Sequence, residues 1–241
     1  MSTPAAHRAT SATALEAALP DIAQLRTFVG LDGFVDEIVH IVDKRHDAYS
    51  YDRLRTISCL AERIGAAAGR STNIERVPQQ TKLGGNGPIM ANTLSTLGCQ
   101  VTYLGALGHP NVDPVFDDFA SRADVHSIAP AGSTIALEFD DGKIMVPLTV
   151  TLNEITWDNI GDRFGHDCFL THMAEDQLVG FVNWTMIPAM NAIWESLLNA
   201  LPSTPPESRS LIFFDLADPE KRTREDIRQA LTLITRFEQH F

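Results

Sequence analysis

Short apolar runs alternate with helix-spaced runs along most of this chain, and that alternation constrains the fold more than any other feature. Phe28–Leu31, Val101–Leu107, Val125–Ala129, Leu178–Trp184 and Leu211–Asp215 read as buried strands. Ile89–Leu97, a segment opening at Asp113-Pro114, Met186–Leu201 and a last helix capped by Thr223 read as the helices between them. Strand-then-helix units repeated in this way build a parallel sheet covered by helices on both faces. The length of 241 residues suits one large domain or two small ones. Hydrophobic residues at 44% and charged residues at 21% exclude a disordered or collagen-like chain.

Two stretches break the rhythm. Phe34–Val42 is β-branched and alternating, and Ser133–Val150 reads as a hairpin turning at Asp141-Gly142. Both are amphipathic, which suits a small sheet packed on one face only. The expectation is therefore an α/β/α core with a small β subdomain over one edge. Tyr51–Ala68 reads as a helix, and Ala14–Leu25 as a helix split at Pro20. Met1–Thr13 is expected to be a flexible tail, so that residues 1–27 hold a tail and a leading helix, and 28–241 the domain. Pro202-Ser203-Thr204-Pro205-Pro206 reads as a linker.

Charge and cysteine usage narrow the partners. Lys plus Arg is 19 and Asp plus Glu is 31, a net charge of −12. That balance disfavours a broad grip on nucleic acid or anionic lipid, and leaves room for a small anion held by a few local cations. Cys59, Cys99 and Cys168 are widely spaced and form no C-x-x-C pair, which disfavours a zinc or disulfide framework and points to a reducing cytoplasm. No uninterrupted apolar run reaches 18 residues, so no membrane-spanning helix is indicated.

Three segments carry chemistry. Asp32 and Asp36 follow the first buried strand, and strand ends are where α/β sheets bind ligands, although a turn Asp and a solvated Asp is the more usual reading of a lone pair of this kind. Gly84-Gly85-Asn86-Gly87-Pro88 opens a helix, where glycines allow close backbone approach and free N–H groups meet a ligand, or where Asn86 merely caps the helix. Asp215, Asp218, Lys221 and Arg222 gather after the last strand, a mixture suited to phosphate and metal or to a solvated loop. His166 and His172 read as ordinary loop histidines. Trp157, Trp184 and Trp194 read as core or interface residues.

Together these pieces resemble the ribokinase-like (PfkB) family of carbohydrate and nucleoside kinases. The resemblance rests on Gly30 with Asp32 and Asp36 just after it, and on Gly84-Gly85-Asn86 with Ala91, Leu94, Leu97-Gly98 and Gly108. The hairpin after Gly108 and the run from Phe214-Asp215 to Arg222 complete it, and the likeness covers about Phe28 to the C-terminus. It implies a three-layer α/β/α sandwich with a β-sheet lid formed from about 34–43 and 133–151. It also implies transfer of the γ-phosphoryl of ATP, helped by Mg²⁺, to a hydroxymethyl group of a sugar or nucleoside. Carried onto this chain, Asp36 or Asp32 would hold substrate hydroxyls, Gly84, Gly85 and Asn86 would line the same pocket, and Asp215, Asp218 and Arg222 would lie toward the phosphate. Pairing of two copies through the lid sheet is the expected assembly.

The chain departs from the family in two ways. Ile89 stands where the first signature usually carries Asn. The second signature, a Gly-Ala-Gly-Asp stretch supplying the catalytic base and the anion hole, does not occur, nor does the Asn-x-x-Glu motif that helps to place Mg²⁺. The resemblance therefore assigns no catalytic or metal-binding residue here, and the expectation is a substrate-binding half with little turnover by itself. The alternative is a non-catalytic sugar-binding or regulatory protein that kept only the pocket. A phosphatase using Asp215 as nucleophile would need a second Asp two residues on, where Ala217 stands.

Overall fold

The computed structural model describes residues 4–202 and 210–241. The first half contains α1 (Pro4–Ile22), β1 (Arg26–Leu31), β2 (Phe34–Arg45), β3 (Tyr51–Arg53), α2 (Ile57–Gly65), β4 (Arg76–Gly84), α3 (Asn86–Thr96), β5 (Gln100–Gly105) and α4 (Asp117–Ala120). The second half contains β6 (Asp124–Ser127), β7 (Gly132–Phe139), β8 (Gly142–Leu148), α5 (Trp157–Arg163), α6 (His166–Glu175), β9 (Leu178–Phe181), α7 (Met190–Ala200), β10 (Leu211–Phe214) and α8 (Arg224–Phe237).

Five strands form the core sheet in the order β10-β9-β1-β5-β6, every neighbouring pair parallel. Its strands are short and apolar because both faces are covered. Phe28, Leu31, Leu104 and Phe181 pack on one side with Phe169, Trp194 and Phe237 from the later helices. Val29, Val101 and Tyr103 pack on the other side with Ala91 of α3, Phe116 just before α4 and Phe119 within it. Each Val, Leu or Phe among them, fully buried, contributes about 1.5–3 kcal/mol. The edge strand β10 is less covered: Leu211 is 71% and Phe213 45% exposed.

The second sheet is built around β2, which pairs antiparallel with β4 and β3 and parallel with β7, and β8 closes the far side of β7. One face rests on α2, where Val39, Ile41, Leu54, Leu60 and Phe139 form a separate small core. The other face carries Asp36 and Thr134, register partners on β2 and β7.

Several local expectations need correction. The strand β4 was not foreseen: its Gln79, Gln80, Thr81 and Lys82 are exposed and Pro78 interrupts it, so only pairing with β2 reveals it. The helix expected from Tyr51 starts at Ile57, where Thr56 accepts the Cys59 N–H, because Tyr51–Arg53 is drawn into the sheet beside β2. The hairpin turns at Asp140-Asp141, since Gly142 already pairs with Phe139. In place of a tail and a break at Pro20, α1 runs from Pro4 to Ile22. Its many alanines favour helix, and Pro20, lying in the last turn, removes only one hydrogen bond. His166 and His172 lie on α6, not in a loop. The expected linker lies outside the described residues apart from Pro202. All three cysteines are free, and no described helix is long and apolar enough to cross a membrane.

Candidate functional site

The site lies where β1 ends and the chain crosses into the lid sheet. Asp32 follows Leu31 and is completely buried. One carboxylate oxygen accepts the Gly87 N–H at 2.8 Å, and the other accepts the Asn86 N–H at 3.0 Å and the Asn183 Nδ2 at 2.6 Å. Its main-chain carbonyl accepts the buried Tyr103 hydroxyl at 2.5 Å. Burial pushes the Asp32 carboxyl up to about 6, the three hydrogen bonds pull it back, and the nearby Asp215 charge adds to the rise. Asp32 thus satisfies two orphan N–H groups at the N-terminus of α3. Asp32, expected to hold substrate hydroxyls together with or in place of Asp36, is sealed behind these donors and does not line the pocket described below.

The turn that allows this is glycine-built. Gly85, at φ 94°, is the residue before α3, so Asn86 is the first residue of the helix and not its cap. A side chain at Gly87 would meet the Asp32 carboxylate and the Tyr103 hydroxyl, each at 2.5 Å. Gly84 lies directly against the Asp36 carboxyl group.

Asp36 takes the opposite position to Asp32. It sits on the lid strand β2, is only 9% exposed, and faces a pocket of about 300 Å³ between the lid and the core sheet. The polar wall of that pocket is Asp36, Asn86, Thr134, Asn183, Asp218 and Lys221. The apolar wall is Phe34, Ile89, Met145, Pro147 and Met186. A carboxylate, two amides and a hydroxyl opposite apolar side chains suit a polyhydroxylated molecule, whose hydroxyls need acceptors and donors and whose C–H faces need apolar contact.

The sequence-derived residues separate here. Asp36, Gly85, Asn86 and Asp218 line the pocket, while Gly84 and Asp32 support it from behind. Asp215 accepts the Asn86 Nδ2 at 2.8 Å, the Asn183 N–H at 3.2 Å and the Ala217 N–H at 2.8 Å, and does not line the pocket. Arg222, expected toward the phosphate, does not line this pocket. Its guanidinium lies 4.6 Å from the Trp184 ring centre and donates to the Thr185, Ile187 and Pro188 carbonyls at 3.3–3.4 Å. The cation on the pocket wall is Lys221, paired with Asp218 at 2.6 Å. Asn183 was missed by sequence reasoning. Its signal was an Asn at a strand end, a residue type that tolerates the left-handed backbone it adopts there, φ 61° and ψ 48°.

A wider cleft of about 590 Å³ lies at the opposite, amino end of the core strands. Its arginines are already committed, Arg26 to Glu175 and Asp176 and Arg122 to Asp118. Among the described residues no group of three His, Cys, Asp or Glu is placed to hold a metal ion.

With the geometry in place, comparison with known proteins decides the lineage. The family model for prokaryotic ketohexokinase matches residues 5–240. The chain belongs to the prokaryotic ketohexokinase family. The ketohexokinase of Haloferax volcanii is 27% identical over 199 residues, covering 82% of this chain and 53% of that protein. This ketohexokinase-family chain thus spans about half the length of the curated relative it matches. The PfkB protein of Polaromonas sp. JS666 superposes with a TM-score of 0.52 at 11% identity, over 88% of this chain and 63% of that one. The fructokinase of Xylella fastidiosa does so with a TM-score of 0.52 at 13% identity, over 88% of this chain and 57% of that one. The fold is therefore ribokinase-like, a helix-covered parallel sheet with a β-sheet lid.

Proposed function

We propose that the whole protein is an ATP-dependent kinase that phosphorylates a hydroxymethyl group of a ketohexose, and that these 241 residues supply its sugar pocket. The observation that carries this reading is Asp36: a nearly buried carboxylate on the lid face, aimed into a pocket whose other polar groups are the Asn86 and Asn183 amides. A carboxylate accepts two hydroxyl hydrogens at once, which fixes a sugar ring in one orientation. The lid closes over the sugar and excludes the water that would compete for the phosphoryl group. Membership of the ketohexokinase family supports a ketose over an aldose or a nucleoside. ATP is the phosphoryl donor in this reading, and no step of it runs through a metal held by the described residues. No residue on the pocket wall is assigned as catalytic base. Exposed Val146 and Leu148 on β8 support pairing of two copies through the lid.

Calorimetry with D-fructose tests the reading, with D-glucose and adenosine as controls. Saturable fructose binding that is lost in Asp36→Ala supports it. Binding of adenosine in preference to fructose moves the substrate to nucleosides. Phosphoryl transfer from Mg·ATP by these 241 residues alone would overturn the division between pocket and catalytic base.

A further inference from the structure

We propose that Asp32 is a positioning residue of the pocket: its ionised carboxylate holds Asn86 and Asn183 in the arrangement in which they face the ligand, and protonation releases that hold. The ligand arm rests on the kinase reading above. The positioning itself rests only on the geometry.

Two carboxylates and two asparagines form a crossed ring. Asp32 accepts the Asn86 main-chain N–H and the Asn183 side-chain amide, and Asp215 accepts the Asn86 side-chain amide and the Asn183 main-chain N–H. An ionised carboxylate only accepts, so each amide must turn its Nδ2 toward the ring. Its Oδ1 is then the atom left to accept from a ligand, and both asparagines line the pocket. The ring thereby converts two rotatable amides into fixed groups.

The arrangement depends on charge. The groups facing the Asp32 carboxylate from α3 are main-chain N–H donors, and Asn183 adds a third donor. From β5, Tyr103 is held protonated by its burial and donates to the Asp32 main chain. Asp36 stands across Gly84 and Gly85, and Asp215 is the charged group that acts on Asp32. A proton on Asp32 would displace an N–H donor or force an amide to turn, and Asp215, the charged group beside it, already binds both asparagines. Burial places this proton uptake near pH 6, inside the range a cell can reach.

Nuclear magnetic resonance of the ¹⁵N-labelled chain tests this without any sugar. The side-chain amide signals of Asn86 and Asn183 are followed from pH 5 to 7.5. Both should move together, with a common midpoint near 6. In Asn183→Gly, which suits the left-handed backbone, the midpoint read from Asn86 should rise because a hydrogen bond that favours the ionised form is gone. In Asp32→Asn the shared transition should vanish. Calorimetry adds the ligand arm: fructose affinity of the wild type should fall at least about threefold from pH 7.5 to 5, while Asp32→Asn binds more weakly at every pH without that slope. Amide signals that stay still, or that titrate alike in wild type and Asp32→Asn, overturn the proposal. Should Asp32→Asn fail to fold, the wild-type titration and Asn183→Gly decide. If the wild type ignores fructose at every pH, the kinase reading falls and the amide titration alone judges the role of Asp32.

Discussion

Asp32 and Asp215 lie at the ends of β1 and β10, with β9 between those strands, yet they share the same two donors, Asn86 and Asn183. This sharing stitches the mouth of α3 to the far edge of the core sheet, and it sets the back wall of the pocket.

Asp36 is the group on which ligand affinity should turn. Removing it in Asp36→Ala should weaken sugar binding roughly 10–100-fold, the loss expected when a charged acceptor is deleted. Gly84→Ala should weaken binding in the same direction, because the new methyl group would displace the Asp36 carboxyl. Calorimetry with fructose measures both, and circular dichroism confirms that each variant is folded. Unchanged affinity in both variants would remove Asp36 from the site.

Asp32 should leave a mark on the pH dependence of stability. Its folded value of about 6 exceeds its ordinary value of 3.8, so the native state holds this proton more tightly than the unfolded chain does. Its stabilising contribution is complete below about pH 4 and is lost as the pH rises through 6, a change on the order of 3 kcal/mol for this fully buried group. Urea unfolding of wild type and Asp32→Asn between pH 4 and 7 reads the difference, which should move against the wild type with rising pH. The ionised form that orients the asparagines is then the less stable one, a cost borne at the site.

Arg222 should matter to the fold and not to the ligand. It braces the turn after β9 through three carbonyls and the Trp184 ring. Arg222→Ala should cost about 1–3 kcal/mol of stability while fructose affinity stays within about twofold. Thermal melting and calorimetry separate the two effects. A large loss of affinity with no loss of stability would restore the arginine to the ligand.

Two buried tryptophans should respond differently to the same change. Trp184 donates its indole N–H to Asn191 at 2.7 Å, whereas the buried Trp194 N–H has no partner among the described residues. Trp184→Phe leaves the Asn191 oxygen short of a donor and should cost about 1–3 kcal/mol from that term. Trp194→Phe also removes volume from the core, yet it relieves an unpaired donor, and should cost less. Urea denaturation of the pair tests the order.

Composition and periodicity determined much of this molecule. Apolar runs such as Phe28–Leu31 and Leu178–Phe181 are buried on both faces, so hydrophobicity alone marked them as core strands and implied the helix-covered sheet. Thr223 with Asp226 marked the start of α8, and Gly84-Gly85 marked the turn into α3, because caps and tight turns are local chemistry. What the tertiary structure decided was everything that depends on a distant partner. The strand β4 exists because β2 lies beside it, not because its polar residues prefer a sheet. Asp32 and Asp36 are four residues apart and chemically identical, yet one is sealed behind α3 and the other faces the pocket. Asn183 joined the site from 151 positions away through Asp32. A side chain's type is written in the sequence, but its burial, charge state and bonding partners depend on which residues the packed chain brings against it.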